Sequence, residues 1–141
     1  MQINFPVDFT LLIDDDKVIN FYNEKIVNKH DDFNQVISVN SALKALKYLE
    51  DASKGLAIKP NLIFLDINMP AMNGWEFIEE YNKLDTDFIS SIKIILLTTS
   101  NNPDDYKRFK TIDLLEDFIN KPLSASLLTT LIESHYKQKT V

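Results

Sequence analysis

Five short apolar runs recur along the chain, and each is followed by a stretch with helical apolar spacing. The runs are Phe9–Ile13, Gln35–Val39, Leu62–Leu65, Lys93–Leu97 and Asp117–Asn120. This alternation constrains the fold more than any other feature. Three of the runs show no clean apolar–polar alternation, which fits strands buried on both faces. A strand–helix order repeated five times implies crossover helices and a parallel sheet. The expected fold class is therefore α/β: a five-stranded parallel sheet covered by helices on both faces.

The helical segments carry their own punctuation. Val18, Tyr22 and Ile26 are spaced four apart, with Ile19 beside them. Ala42, Ala45, Leu46 and Leu49 follow a cap at Ser41, and Phe77, Ile78, Tyr81 and Leu84 follow a cap at Asn73. The fourth helix is short. Asn102 caps it, Pro103 takes its first position, and Asp104 and Asp105 fill its first turn. Ser124 caps the fifth, which carries Leu127, Leu128, Leu131, Ile132 and His135.

Composition narrows the possible chemistry. A chain of 141 residues suffices for one compact domain, expected over 1–141 with its core at about 9–136. The absence of cysteine excludes disulfides, thiol catalysis and Cys-ligated zinc. With only His30 and His135, a multi-histidine metal site is excluded too. A net charge of −6 argues against non-specific nucleic-acid binding. The opening MQINFPVDFTLLIDDDK has no basic start, and Asp8 and Asp14 interrupt its apolar stretch, so it does not read as a secretory signal. No run approaches the roughly 18–20 apolar residues of a membrane helix. A soluble, cytoplasmic protein is expected.

In parallel α/β sheets, ligands bind beyond the carboxyl ends of the strands. Here those ends carry chemistry. Asp14, Asp15 and Asp16 follow the first strand, Asp66 the third, Thr98, Thr99 and Ser100 the fourth, and Lys121 and Pro122 the fifth. Asn40 and Ser41, after the second, read as capping residues. Each element alone has an ordinary reading: a helix cap for the aspartates, a turn for Asp66, a strand-end hydroxyl for Thr98, a solvated lysine for Lys121. Together they converge on one crevice. Carboxylates about 4 Å apart repel by several kcal/mol at an effective dielectric near 20. A hard divalent cation such as Mg²⁺ offsets that repulsion. A cation, a lysine, a hydroxyl and a carboxylate in one pocket suit phosphoryl transfer to the carboxylate.

The segments LLIDDDKV, NLIFLDINMPAMNGWEF, IILLTTS and FINKPLS, in this order and spacing, resemble the receiver domains of two-component response regulators. The resemblance runs from about Phe9 to Tyr136. It implies a flavodoxin-like, chemotaxis-regulator-like (βα)5 topology. It also implies that Asp66 is the phosphoacceptor, and that Asp14 and Asp15 hold Mg²⁺ together with Asp66 and the backbone carbonyl of Asn68. Thr98 and Lys121 would contact the phosphoryl group. Phe118, three residues before Lys121, matches the aromatic switch position that turns inward as Thr98 moves. The bond before Pro122 is often cis in the family.

The implied partners are a sensor histidine kinase or histidine phosphotransfer protein and a downstream protein. The latter would bind the face made by the fourth helix, fifth strand and fifth helix. No nucleic-acid or membrane contact is implied, and the expected state is a monomer or weak homodimer. Activity would be limited to self-phosphorylation and autodephosphorylation. Only Lys137–Val141 follow the fifth helix, so a stand-alone receiver is expected.

Some positions depart from the commonest pattern. Phe118 lacks the hydroxyl of the frequent tyrosine, so switching there would depend on packing. Thr99 stands where the family favours a smaller residue. The segment Asp51–Pro60 is longer than the typical loop before the third strand. Asn68 and Ser100 occupy positions that, in the family this chain resembles, tune the dephosphorylation rate by steering the attacking water. Trp75 is expected to pack at the start of the third helix, and Asp104–Lys110 lies where receivers meet partners. His30 and His135 lack a phosphotransfer context.

Two alternative functions compete. A phosphorylation-independent binding module with a vestigial pocket would usually have lost an acid, the threonine or the lysine, and all are present. A haloacid-dehalogenase-type phosphatase needs a second acid two residues after its nucleophile, where this chain has Asn68.

Overall fold

A computed structural model of the chain describes residues 5–136. Its elements run β1 (Val7–Ile13), α1 (Lys17–Lys29), β2 (Phe33–Val39), α2 (Ala42–Ser53), β3 (Leu62–Leu65), α3 (Gly74–Tyr81), α4 (Thr86–Ile89), β4 (Lys93–Thr98), α5 (Pro103–Lys110), β5 (Leu115–Asn120) and α6 (Ala125–His135). The five strands form one parallel sheet in the order β2-β1-β3-β4-β5. This is the five-stranded parallel α/β architecture that the apolar runs imply.

Alternate strand residues feed two cores. Leu11, Ile13, Ile63, Leu65, Ile94 and Leu96 point to one face, where they pack with Ala45 and Leu49 of α2 and Phe77 and Tyr81 of α3. Leu12, Phe64, Ile95 and Leu97 point to the other, against Val27 of α1 and Leu128, Leu131 and Ile132 of α6. Burial on both faces explains why the central runs read as continuously apolar. No helix among the described residues is long and apolar enough to cross a membrane.

The expected caps are in place. Ser41, Asn73, Asn102 and Ser124 each accept from a backbone N–H in the first turn of the helix that follows. At Asn73 the bond is reciprocal, because Glu76 accepts from the Asn73 N–H. Strand bounds are wider than the apolar runs, since β1, β2 and β5 each begin two residues earlier. Asp8, Asn34 and Glu116 are exposed, so those starts carry polar residues without leaving the ladder.

One element was not anticipated. Asp85 caps α4, a single turn between α3 and β4, by accepting from the Phe88 N–H at 3.1 Å. The fourth and fifth helices of the sequence reading are therefore α5 and α6.

Candidate functional site

Strand order creates the site. The chain passes from β1 outward to β2, then crosses back to lay β3 on the other side of β1. The two connections diverge at that point and open a crevice beyond the carboxyl ends of β1 and β3. Ile13 pairs with Leu65, so the next residues, Asp14 and Asp66, emerge side by side. The Asp66 N–H donates to the Ile13 carbonyl at 2.9 Å, and the Asp14 N–H to the Val39 carbonyl at 3.2 Å. Both aspartates are buried, each 4% exposed.

The three consecutive aspartates divide their work. Asp16 alone caps α1, accepting from the N–H groups of Val18 and Ile19. Asp14, exposed Asp15 and Asp66 each turn a carboxylate oxygen to a common point, with those oxygens within 4.8 Å of one another. Lys121 Nζ lies 2.5 Å from Asp14 Oδ2 and 3.4 Å from Asp66 Oδ1. Asp14 Oδ2 is buried, and the Lys121 ammonium is its close partner. Three carboxylates against one ammonium leave two negative charges unmatched.

That imbalance registers on Asp66. Burial, then the neighbouring Asp14 charge, pushes its pKa up to about 6, although Lys121 and the Asn68 N–H pull the other way. Burial acts to lower the Lys121 pKa, but the two carboxylates overcome it and hold the ammonium above its ordinary range. The donor set fits a divalent cation: three hard carboxylate oxygens close together, two of them on buried residues, and a deficit of two charges.

Thr98 ends β4 and is fully buried. Its Oγ1 accepts from the Ser100 N–H at 3.1 Å, which leaves its hydroxyl hydrogen free to donate elsewhere. Lys121 follows β5, and its N–H donates to the Thr98 carbonyl at 2.9 Å. The Lys121–Pro122 peptide is cis. Asn68 is exposed, with its N–H 3.3 Å from Asp66 Oδ1.

Phe118 lies further back, in β5 opposite Leu96. It is half-buried, with the Tyr106 ring set edge-on at 5.6 Å and the Phe109 ring at 5.7 Å. The structure thus brings Asp14, Asp15, Asp66 and Lys121 into one cluster and sets Phe118 in an aromatic group beneath α5.

Several supporting residues escaped the sequence reading. Asn20 of α1 donates to the carbonyls of Asp14 (2.8 Å) and Val39 (3.2 Å), bracing the loop after β1. Asn23 accepts from the Leu123 N–H at 3.4 Å and holds the loop after β5. Both amides are buried. The available signal was two asparagines three apart inside a helix, where amides are unfavourable unless they have partners. At Gly74 a Cβ would lie 2.7 Å from the Asp66 carbonyl oxygen and 2.8 Å from the Ile67 Cα. The start of α3 therefore presses directly on the backbone that presents Asp66.

Comparison with known proteins agrees with this geometry. The family model described as the response regulator receiver domain matches residues 10–133. The chain belongs to the response regulator receiver domain family. This receiver is 30% identical over 101 residues to response regulator Rcp1 of Synechocystis sp., covering 71% of the chain and 67% of that protein. Other curated relatives are longer, and the match spans only 38% of a two-component response regulator from rice. Among solved structures, a two-component response regulator from Cytophaga hutchinsonii superposes with a TM-score of 0.82 at 31% identity, over 91% of this chain and 96% of that one. The Mn(2+)-bound form of response regulator Rcp1 superposes with a TM-score of 0.69 at 25% identity, over 94% and 96%.

Proposed function

We propose that the chain is a single receiver domain that accepts a phosphoryl group on Asp66 in a Mg²⁺-dependent reaction. The observation that carries this reading is the carboxylate cluster itself. Three acidic oxygens converge with one lysine and two uncompensated charges, beyond the strand ends of a receiver fold. Asp14, Asp15, Asp66 and the backbone carbonyl of Asn68 would hold the ion. When bound, the ion supplies positive charge against the phosphoryl oxygens and the clustered carboxylates. A relative with a Mn(2+)-bound form supports a divalent ion of this kind.

The chain's own residues account for the remaining chemistry. An Asp66 carboxylate oxygen attacks the phosphorus of a phosphohistidine. The new O–P bond forms as the N–P bond breaks, and the imidazole leaves with the electron pair and takes a proton from solvent. Lys121 pairs with a phosphoryl oxygen, and the Thr98 hydroxyl donates to another. The product gains up to about two negative charges and several acceptor oxygens. Thr98 moves toward the new group, Phe118 turns into the space it leaves, and the surface of α5, β5 and α6 changes its preference for a partner. The phosphoryl donor is a sensor histidine kinase or histidine phosphotransfer protein, and the receptor of the signal is a protein. Turnover is confined to self-phosphorylation and autodephosphorylation, in the cytoplasm, by a monomer or weak homodimer.

Intact mass after incubation with acetyl phosphate tests the reading. A single phosphoryl adduct is expected with Mg²⁺, and none with EDTA or in Asp66→Asn. An adduct that persists in Asp66→Asn would overturn it. So would a wild-type chain that gains no adduct and does not bind beryllium fluoride, a phosphoryl mimic.

A further inference from the structure

The loop leaving β4 carries a path of hydrogen bonds that the phosphoryl chemistry does not use. The Ser100 N–H donates to Thr98 Oγ1 at 3.1 Å. The Ser100 hydroxyl donates to Asp105 Oδ2 at 2.5 Å, while its oxygen accepts from the Asn102 N–H at 3.2 Å. The second Asp105 oxygen, Oδ1, accepts from Trp75 Nε1 at 3.3 Å. Trp75 is buried at the start of α3, and the Arg108 guanidinium lies over its ring at 4.9 Å. Four residues from β4, its loop, α5 and α3 are thus joined in series.

The chemistry of each group gives the path a direction. A hydroxyl has one hydrogen, and Ser100 commits its own to Asp105. That bond holds the Ser100 backbone over Thr98. Asp105 lies in the first turn of α5, where a negative charge is favoured. As an ionised acceptor it binds both donors more strongly than a neutral group would. Any displacement of Thr98 away from the Ser100 N–H must strain or break this series.

We propose that Asp105 is a positioning residue of the switch. Through Ser100 it holds the Thr98 hydroxyl in the resting arrangement, and through Trp75 it couples release of Thr98 to the contact between α3 and α5. This rests on the receiver reading above. Removing Asp105 frees the loop and lowers the cost of the phosphorylated arrangement, without touching the acidic cluster or Lys121.

Beryllium fluoride titration in Mg²⁺, read by ¹⁹F NMR and by emission of Trp75, the chain's single tryptophan, tests the proposal. Asp105→Ala is expected to bind the mimic roughly 5-fold more tightly, the factor of one net hydrogen bond. Asp105→Asn, which keeps the shape but loses the charge, is expected to fall between it and the wild type. Ser100→Ala should tighten binding alone but add little in the Asp105→Ala background, because both act on one path. Trp75 emission should shift when the wild type binds the mimic and should already be shifted in unliganded Asp105→Ala. Variants that fold, bind with unchanged or weaker affinity, and combine additively overturn the proposal while the receiver reading stands. A wild-type chain that does not bind the mimic overturns both.

Discussion

Replacing Asp66 with asparagine removes the charge that the site holds at greatest cost, so this variant should be more stable than the wild type without divalent ions. The carboxylate is buried, faces Asp14, and titrates near 6 instead of the ordinary 3.8. That gap corresponds to at most about 3 kcal/mol. The sign follows from linkage. Because the folded-state pKa is raised, the native state holds the proton more tightly than the unfolded chain between pH 3.8 and about 6. Wild-type stability therefore falls as pH rises through that window, and the full penalty is present above it. Asparagine carries no such penalty, and the raised value is already net of the attraction of Lys121, 3.4 Å away. A net gain of about 1–3 kcal/mol at pH 7.5 is expected, shrinking towards zero near pH 4. Urea unfolding at a series of pH values in EDTA reads both quantities. Adding Mg²⁺ should narrow the difference at pH 7.5, because ligand binding to the native wild type adds stability. An Asp66→Asn chain that is less stable than the wild type at pH 7.5, or a difference that does not change with pH, would refute the reasoning.

Two further substitutions probe the frame around the cluster. Gly74→Ala places a Cβ against the Asp66 carbonyl oxygen and the Ile67 Cα, both backbone atoms that cannot swing aside. A loss of about 1–3 kcal/mol in urea unfolding is expected, with weaker beryllium fluoride binding, and an unchanged midpoint would count against the close approach. Lys121→Ala removes the ammonium that meets both Asp14 and Asp66. Without metal it should cost about 3–5 kcal/mol at neutral pH and recover in part on acidification, whereas equal stability in urea would show that the pair contributes little.

The fold and the site differ in how plainly the chain displays them. LIFL and KIILL announce buried strands because both of their faces are covered, and the residues that follow them fall at the sheet's carboxyl edge by geometry alone. Asp66 and Thr98 were visible for that reason, whereas Lys121 follows the half-buried edge strand β5 and was visible only through its place before Pro122 and after the fifth run. The beginnings of β1, β2 and β5 were hidden by exposed Asp8, Asn34 and Glu116, which interrupt the apolar pattern without interrupting pairing. α4 was hidden because four residues are too few to show a helical period. The division of labour among Asp14, Asp15 and Asp16 depended on register: Asp14 sits beside Asp66 because Ile13 pairs with Leu65. Asn20, Asn23 and Asp105 depended on tertiary contacts, such as the Trp75–Asp105 bond that spans 30 residues of sequence. No local pattern encodes such a partner.

The central claim is that Asp66 carries the phosphoryl group. An acyl phosphate is reduced by borohydride, which converts the modified aspartate to homoserine and leaves the other carboxylates intact. The measurement is peptide mass spectrometry of the wild-type chain treated with acetyl phosphate and Mg²⁺, then borohydride. The account predicts homoserine at position 66, absent when Mg²⁺ is withheld. Conversion at Asp14 or Asp15 instead, or a phosphoryl group found on His30 or His135, would contradict it.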